Sequence, residues 1–315
     1  MSELRQQRLK KLCNEHNIIG ALAIDQRGAL RRMLGEGATN QQLAEFKVLV
    51  SKYLTPYASS ILLDPEVGWD AAKQKDPNAG LLMAYEKTGY DKTQPGRFPD
   101  LIDDVSVYRL KQQGADAVKL LLYIDVDEGT EVNDIKDAFV ERVASECKAE
   151  EMPFFLELVS YDAKVEDAKE YAKLKPRKVI EAMKHYSQPR FGVDVLKVEV
   201  PVNMKFVEGY TEGEVVHSQA EAQALFQQQS QATHLPFIFL SAGVSPELFV
   251  ETLKFAKNAG STFNGVLCGR ATWAGAVDIF KNQGVEAAEQ WIKTEGKQNI
   301  EALNTVLNQT ATPVA

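Results

Sequence analysis

One pattern recurs eight times along the chain: a short apolar run, a polar or glycine-containing turn, and then a stretch with helical amphipathic spacing. The apolar runs lie at 18–24, 59–63, 80–85, 115–123, 153–158, 194–200, 236–240 and 264–268. Most are near-continuous Leu, Ile, Val or Phe, as in strands covered on both faces. Helical signals fill the intervals at 40–53, 133–147, 176–186, 218–233 and 246–259. Asn133 and Ser218 stand where N-caps are needed, and Gly114 and Gly260 where a helix end takes a left-handed residue. Alternating strand and helix implies a parallel sheet in an α/β protein, and eight units is the number that closes a (β/α)8 TIM barrel. An open doubly wound sheet ranks lower, because no GxGxxG follows the first run. The 315 residues are ordinary for one such barrel. Nothing reads as a linker, so residues 1–315 are expected to form a single barrel domain, with a C-terminal helical extension at 285–307 and a tail at 308–315.

Charge and cysteine usage narrow the function. A net charge of −8 argues against a nucleic-acid partner, and an anionic substrate would need a local cluster of cations or backbone amides. Cys13, Cys147 and Cys268 form no CxxC pair and are odd in number, which fits a reducing cytoplasm. Residues 1–12 carry scattered charges rather than a signal-peptide core, and no apolar run is long enough to span a membrane. The expectation is a cytoplasmic protein with no membrane partner. His16, His185, His217 and His234 show no ligand spacing, so no metal site and no metal-dependent chemistry is expected.

In a parallel barrel the reactive groups sit at the C-terminal ends of the strands. Reading each run in steps of two puts Ala117, Lys119, Leu121 and Tyr123 on one face of the fourth strand. The fifth gives Phe155, Glu157 and Val159, the sixth Val195, Lys197 and Glu199, and the first ends at Asp25. Charges inside strands are costly unless paired, so the plain alternative is a satisfied ion network in which Glu157, Glu199 and Asp25 hold two lysines. Two lysines and several carboxylates on neighbouring strands favour chemistry over that alternative. An imine forms only from a neutral amine, and an ordinary lysine is almost wholly protonated at pH 7. A second ammonium about 5 Å away, at an effective dielectric of about 20, costs the charged form about 3 kcal/mol. Two close lysines are thus a recognised route to a Schiff-base nucleophile, with a carboxylate such as Glu157 moving protons.

Two further segments suit phosphate. Leu-Ser-Ala-Gly-Val-Ser at 240–245 follows the seventh run, and Cys-Gly-Arg-Ala-Thr-Trp-Ala at 268–274 follows the eighth. These are the two loops that recurrently bind phosphate in this fold. Gly243 and Gly269 permit close backbone approach, Ser241 offers a hydroxyl, and Arg270 offers a planar fork. Asp25-Gln26-Arg27-Gly28 closes the first run, and its arginine could take a second phosphate. Asp64 reads as a helix cap, and Trp69, Trp273 and Trp291 as packing residues.

The motifs at 21–28, 84–90 (Ala-Tyr-Glu-Lys-Thr-Gly-Tyr), 196–202 (Leu-Lys-Val-Glu-Val-Pro-Val), 240–245 and 263–275 (Phe-Asn-Gly-Val-Leu-Cys-Gly-Arg-Ala-Thr-Trp-Ala-Gly) resemble the class I tagatose 1,6-bisphosphate aldolase family over nearly the whole chain. The resemblance implies a (β/α)8 barrel in lactose and galactose breakdown, needing neither metal nor other cofactor. By that resemblance the imine-forming lysine falls on Lys197 and the catalytic glutamate on Glu157. The family's fourth-strand lysine falls on Lys119, its first-strand aspartate on Asp25, and its phosphate-binding serine and arginine on Ser241 and Arg270. The expected partner is a small phosphosugar, with Gln26, Arg27, Gly243 and Gly269 beside it, and the expected assembly a homo-oligomer, most simply a dimer. Alternatives are a sulfofructose-phosphate aldolase and a barrel that senses phosphosugars. The joint presence of Lys197, Glu157 and Lys119 favours catalysis.

Overall fold

A computed structural model of the chain describes residues 1–35 and 37–314. The eight apolar runs become eight strands: β1 Ile19–Ala23, β2 Ser60–Leu63, β3 Gly80–Ala84, β4 Ala117–Ile124, β5 Phe154–Ser160, β6 Val195–Val198, β7 Phe237–Leu240 and β8 Gly265–Cys268. Every neighbouring pair is parallel and β1 pairs with β8, so the sheet closes in sequence order. The open-sheet alternative falls with that closure. Gly265 makes the seam possible: it stands opposite Ile19 at φ +152°, where a Cβ would lie 2.1 Å from the Ile19 carbonyl oxygen.

Alternation along the strands sorts the core into two parts. Ile19, Ala21, Ala23, Leu62, Leu82, Ala117, Phe155, Val195, Ile238 and Leu267 point inward and fill the lower barrel, with Leu9 and Leu12 plugging its floor. The opposite faces meet the surrounding helices in a second, larger core that includes Phe46, Phe226 and Trp273. Trp273 is fully buried and donates its indole N–H to the Ala23 carbonyl at 2.9 Å.

The helix signals hold with three corrections. Ser218 caps the helix Gln219–Gln231 through a capping box, and Gly114 and Gly260 take positive φ after their helices. Asn133, however, lies inside the helix Thr130–Ala149; its amide instead donates to the carbonyls of Asp125 and Glu128. The helix through Pro176 starts earlier, at Ala168 after the Asp167 cap, and runs to Tyr186. The proline removes the N–H that would reach Ala172, and the His217 ring donates to that carbonyl at 3.2 Å. Asp64 caps no helix: one oxygen accepts the amides of Glu66 and Val67, and the other pairs with the fully buried Lys47. After β8 the chain forms helices Val285–Trp291 and Lys297–Thr310 around a π-helical turn, Ile292–Gly296. Residues 311–314 then cross the barrel floor, where the Val314 amide bonds the Asn17 carbonyl at 2.7 Å.

Candidate active site

Above the apolar filling, the barrel mouth opens into a cavity of about 440 Å³. Asp25, Lys119, Glu157 and Lys197 form its floor, while Gln26, Arg27, Ser241, Gly243, Gly269 and Arg270 line its sides. All the residues nominated from the sequence therefore border one space. Register explains the floor, since Glu157 lies beside Leu121 on one flank and beside Lys197 on the other. None of the four histidines borders the cavity.

The floor is a continuous ion network. Glu157 is shared: one carboxylate oxygen lies 2.7 Å from the Lys197 ammonium and the other 2.9 Å from that of Lys119. Lys119, 1% exposed, also contacts Asp25 at 2.9 Å and Glu86 at 2.6 Å. Burial disfavours its charge, but Asp25, Glu157 and Glu86 outweigh that and raise its pKa well above the ordinary value. Burial likewise opposes ionisation of Asp25 and Glu157. The charges of Lys119 and Lys197 win in both, holding Asp25 and Glu157 below the usual carboxylate range. Tyr123, on the same face of β4, lies higher in the cavity; burial and then the Glu157 charge push its phenol up.

Two expectations change. Lys119 does not act on Lys197 as an unopposed ammonium, because the cluster sets three carboxylates against two lysines. Glu199 borders the cavity, but β6 ends at Val198 and the carboxylate turns outward. It pairs with Lys175 at 3.1 Å and accepts the Ser160 hydroxyl at 2.6 Å. Glu86 was the residue missed. It stands two positions beyond the end of β3, in step with Leu82 and Ala84, and that step was the available signal.

The sides of the cavity differ in free charge. Gly243 takes φ +72°, and a Cβ there would lie 2.7 Å from the Arg270 guanidinium carbon. At Gly269 a Cβ would lie 2.7 Å from the Ala23 carbonyl oxygen. The first loop thus needs glycine for its left-handed turn beside Arg270, and the second to pass close against β1. Among the described residues no carboxylate pairs with Arg270, leaving its fork available to an anion. Arg27 is more committed. Its terminal nitrogens donate to Glu66 and to the Glu86 carbonyl, bracing the ends of β1, β2 and β3, and its buried Nε has no partner. The Gln26 amide oxygen is also buried without a partner.

Residues 19–275 match the family described as DeoC/LacD family aldolase. A tagatose 1,6-diphosphate aldolase 1 of Enterococcus faecalis is 61% identical over 100% of this chain and 98% of its own length. A tagatose 1,6-diphosphate aldolase of Lactococcus lactis is 56% identical over 99% and 98%. Among solved structures, a fructose-bisphosphate aldolase from Plasmodium falciparum superposes with a TM-score of 0.70 at 17% identity, covering 98% of this chain and 95% of that one. An archaeal fructose-1,6-bisphosphate aldolase gives 0.61 at 14%, covering 97% and 100%; at such identities the likeness is one of fold. A match across most of the barrel, with relatives this similar over full length, makes the chain a member of the DeoC/LacD aldolase family.

Proposed function

We propose that this aldolase reversibly cleaves D-tagatose 1,6-bisphosphate to dihydroxyacetone phosphate and D-glyceraldehyde 3-phosphate through an imine on Lys197. The observation that carries the reading is the 2.7 Å contact between Lys197 and Glu157 at the floor of a cavity walled by anion-ready loops. The names of the full-length relatives supply the sugar.

The contact lets Lys197 pass its proton to Glu157 and attack the C2 carbonyl as the free amine. Glu157 returns the proton to the carbinolamine hydroxyl, which leaves as water, and the protonated imine remains. Glu157, again a carboxylate, takes the C4 hydroxyl proton as the C3–C4 bond breaks. The bonding pair flows into the iminium to give the enamine, and glyceraldehyde phosphate departs. Protonation at C3 and addition of water then release dihydroxyacetone phosphate and restore Lys197. Lys119 keeps Glu157 in place and ionised between these steps, and Asp25 anchors Lys119. Ser241, Arg270 and the amides around Gly243 and Gly269 hold the phosphate near the imine, with Gln26 beside Gly269, and Arg27 lines the wall toward the other end of the sugar.

Borohydride reduction in the presence of dihydroxyacetone phosphate, followed by mass spectrometry, should place the adduct on Lys197. An adduct on Lys119, or none, would overturn the assignment. A cytoplasmic homo-oligomer acting in galactose-derived sugar breakdown completes the proposal; the unpaired state of Cys13, Cys147 and Cys268 accords with that compartment.

A further inference from the structure

Where β3 ends, its backbone ladder to β4 stops. The Tyr85 amide bonds the Lys119 carbonyl at 3.0 Å, and the next inward amide of β4, that of Leu121, finds no strand beside it. The Glu86 side chain takes the strand's place, one oxygen accepting that amide at 3.1 Å and the other contacting the Lys119 ammonium at 2.6 Å. Its own backbone is fixed as well, by a bridge to Leu101 and by Arg27 donating to its carbonyl at 2.9 Å. A carboxylate 4% exposed and held from three sides is an expensive group to bury, and the proton transfers proposed for Lys197 and Glu157 do not touch it.

We infer that Glu86 is a positioning residue for the aldol reaction: it fixes Lys119 on β4 and supplies the surplus negative charge that sets the pH range over which Lys197 and Glu157 exchange their proton. The inference rests on the Schiff-base reading above. Without Glu86, Lys119 would be shared by Asp25 and Glu157 alone, and the floor would hold two ammonium groups against two carboxylates. Of the other charges bordering the cavity, Arg32 and Arg270 have no carboxylate partner among the described residues, and the rest are paired. Arg27, in the turn after β1, is balanced by Glu66, and Lys47 behind it by Asp64. Lys87, next in the chain, turns outward to Asp100 and Asp103. Tyr123 on β4 adds a neutral phenol whose ionisation burial opposes.

The sign follows from electrostatics. Removing a buried negative charge favours the deprotonated form of every neighbour, so both limbs of the kcat/KM–pH profile should move to lower pH. For a charge a few ångström beyond contact, at an effective dielectric of about 20, the shift is about one pH unit. Glu86→Gln is the direct test, since its amide oxygen can still accept the Leu121 N–H. The rate of borohydride trapping against pH should shift in the same direction. Glu86→Asp keeps the charge and should leave the limbs in place, whatever its maximum rate. Glu86→Met, also neutral, carries the same expectation and keeps the inference testable if the amide variant misfolds. Lower rates with unmoved limbs, or limbs moved to higher pH, would overturn it. A wild-type protein that neither cleaves the bisphosphate nor traps on Lys197 would instead overturn the proposed function, so the two failures are separable.

Discussion

Lys119 and Lys178 are both buried and both face three carboxylates, yet only Lys119 borders the cavity. Lys178, on the helix Ala168–Tyr186, contacts Asp125, Asp127 at 3.0 Å and Asp162 at 2.9 Å. These carboxylates lie close enough together to hold a metal ion, and the ammonium occupies that position. Their remaining valence is taken up: Asp125 accepts the amides of Asp127 and Ala163, and Arg177 covers Asp127. The cluster staples the loops after β4 and β5 to the helix layer. In the barrel mouth one carboxylate, Glu157, is divided between two ammonium groups, and the second of these, Lys197, faces the cavity. A buried ion cluster gains chemistry when one acid serves two bases and one base is open to a reactant. Saturated on every side, the same ingredients only hold the fold together.

Substitutions can break this contrast or sharpen it. The largest effect should come from Lys197→Ala, which removes the open base and should abolish both turnover and imine trapping, read by a coupled assay and by mass spectrometry. Glu157→Gln should lower kcat by roughly 10²–10⁴-fold, the range of a lost proton shuttle, and should slow imine trapping with dihydroxyacetone phosphate as well. A nearly unaffected kcat would pass the shuttle role to Asp25.

At the saturated cluster the expected loss is of another kind. Lys178→Met should cost about 3 kcal/mol of stability in denaturant unfolding, the low end for a broken buried pair because Asp127 is half open to water. The pH profile of its activity should keep its shape; a displaced limb would show that the two clusters are coupled. Arg270→Ala should raise KM for the bisphosphate roughly ten-fold, consistent with loss of a charged hydrogen bond worth roughly 1.5–3 kcal/mol. A fall in kcat with KM unchanged would mean that Arg270 acts on the transition state alone.

The smallest of the five effects is a displacement rather than a loss. Lys119 carries its charge throughout the working range, because its pKa lies well above that of an ordinary lysine. It is also the strongest charge holding Glu157 down. Lys119→Met should therefore let Glu157 climb, moving the acidic limb of kcat/KM to higher pH by about one unit, opposite in sign to Glu86→Gln. Lys119→Arg should leave the limb in place. A raised KM with the limb unmoved would make Lys119 a substrate-binding group only.

How far the sequence could be read depended on whether the deciding contact was periodic. The strands were legible because each is an apolar run bounded by turns, and Lys119, Glu157 and Lys197 because alternation puts them on the inner face. Alternation ceases to apply where a strand stops. That is why Glu199, one residue past β6, was read as facing inward, and why Glu86, beyond β3, was passed over. The commitment of Arg27 to Glu66 joins loops that no local pattern links. Lys47 lies in a helix with amphipathic spacing, where a lysine ordinarily meets water, and only the tertiary structure brings Asp64 to it.

The seam at Gly265 bears on how the molecule is assembled. Seven of the strand pairings join consecutive segments and can form as local crossover units, but β1 and β8 meet across nearly the whole chain. Closing that distance incurs loop entropy before any ladder bond compensates, which places the β1–β8 junction among the slow events of folding. Until it forms, both strands expose unpaired edges, the state in which parallel sheets are prone to aggregate. A side chain at Gly265 would obstruct that last pairing, so Gly265→Ala should show itself in refolding yield before it shows itself in the activity of whatever fraction closes.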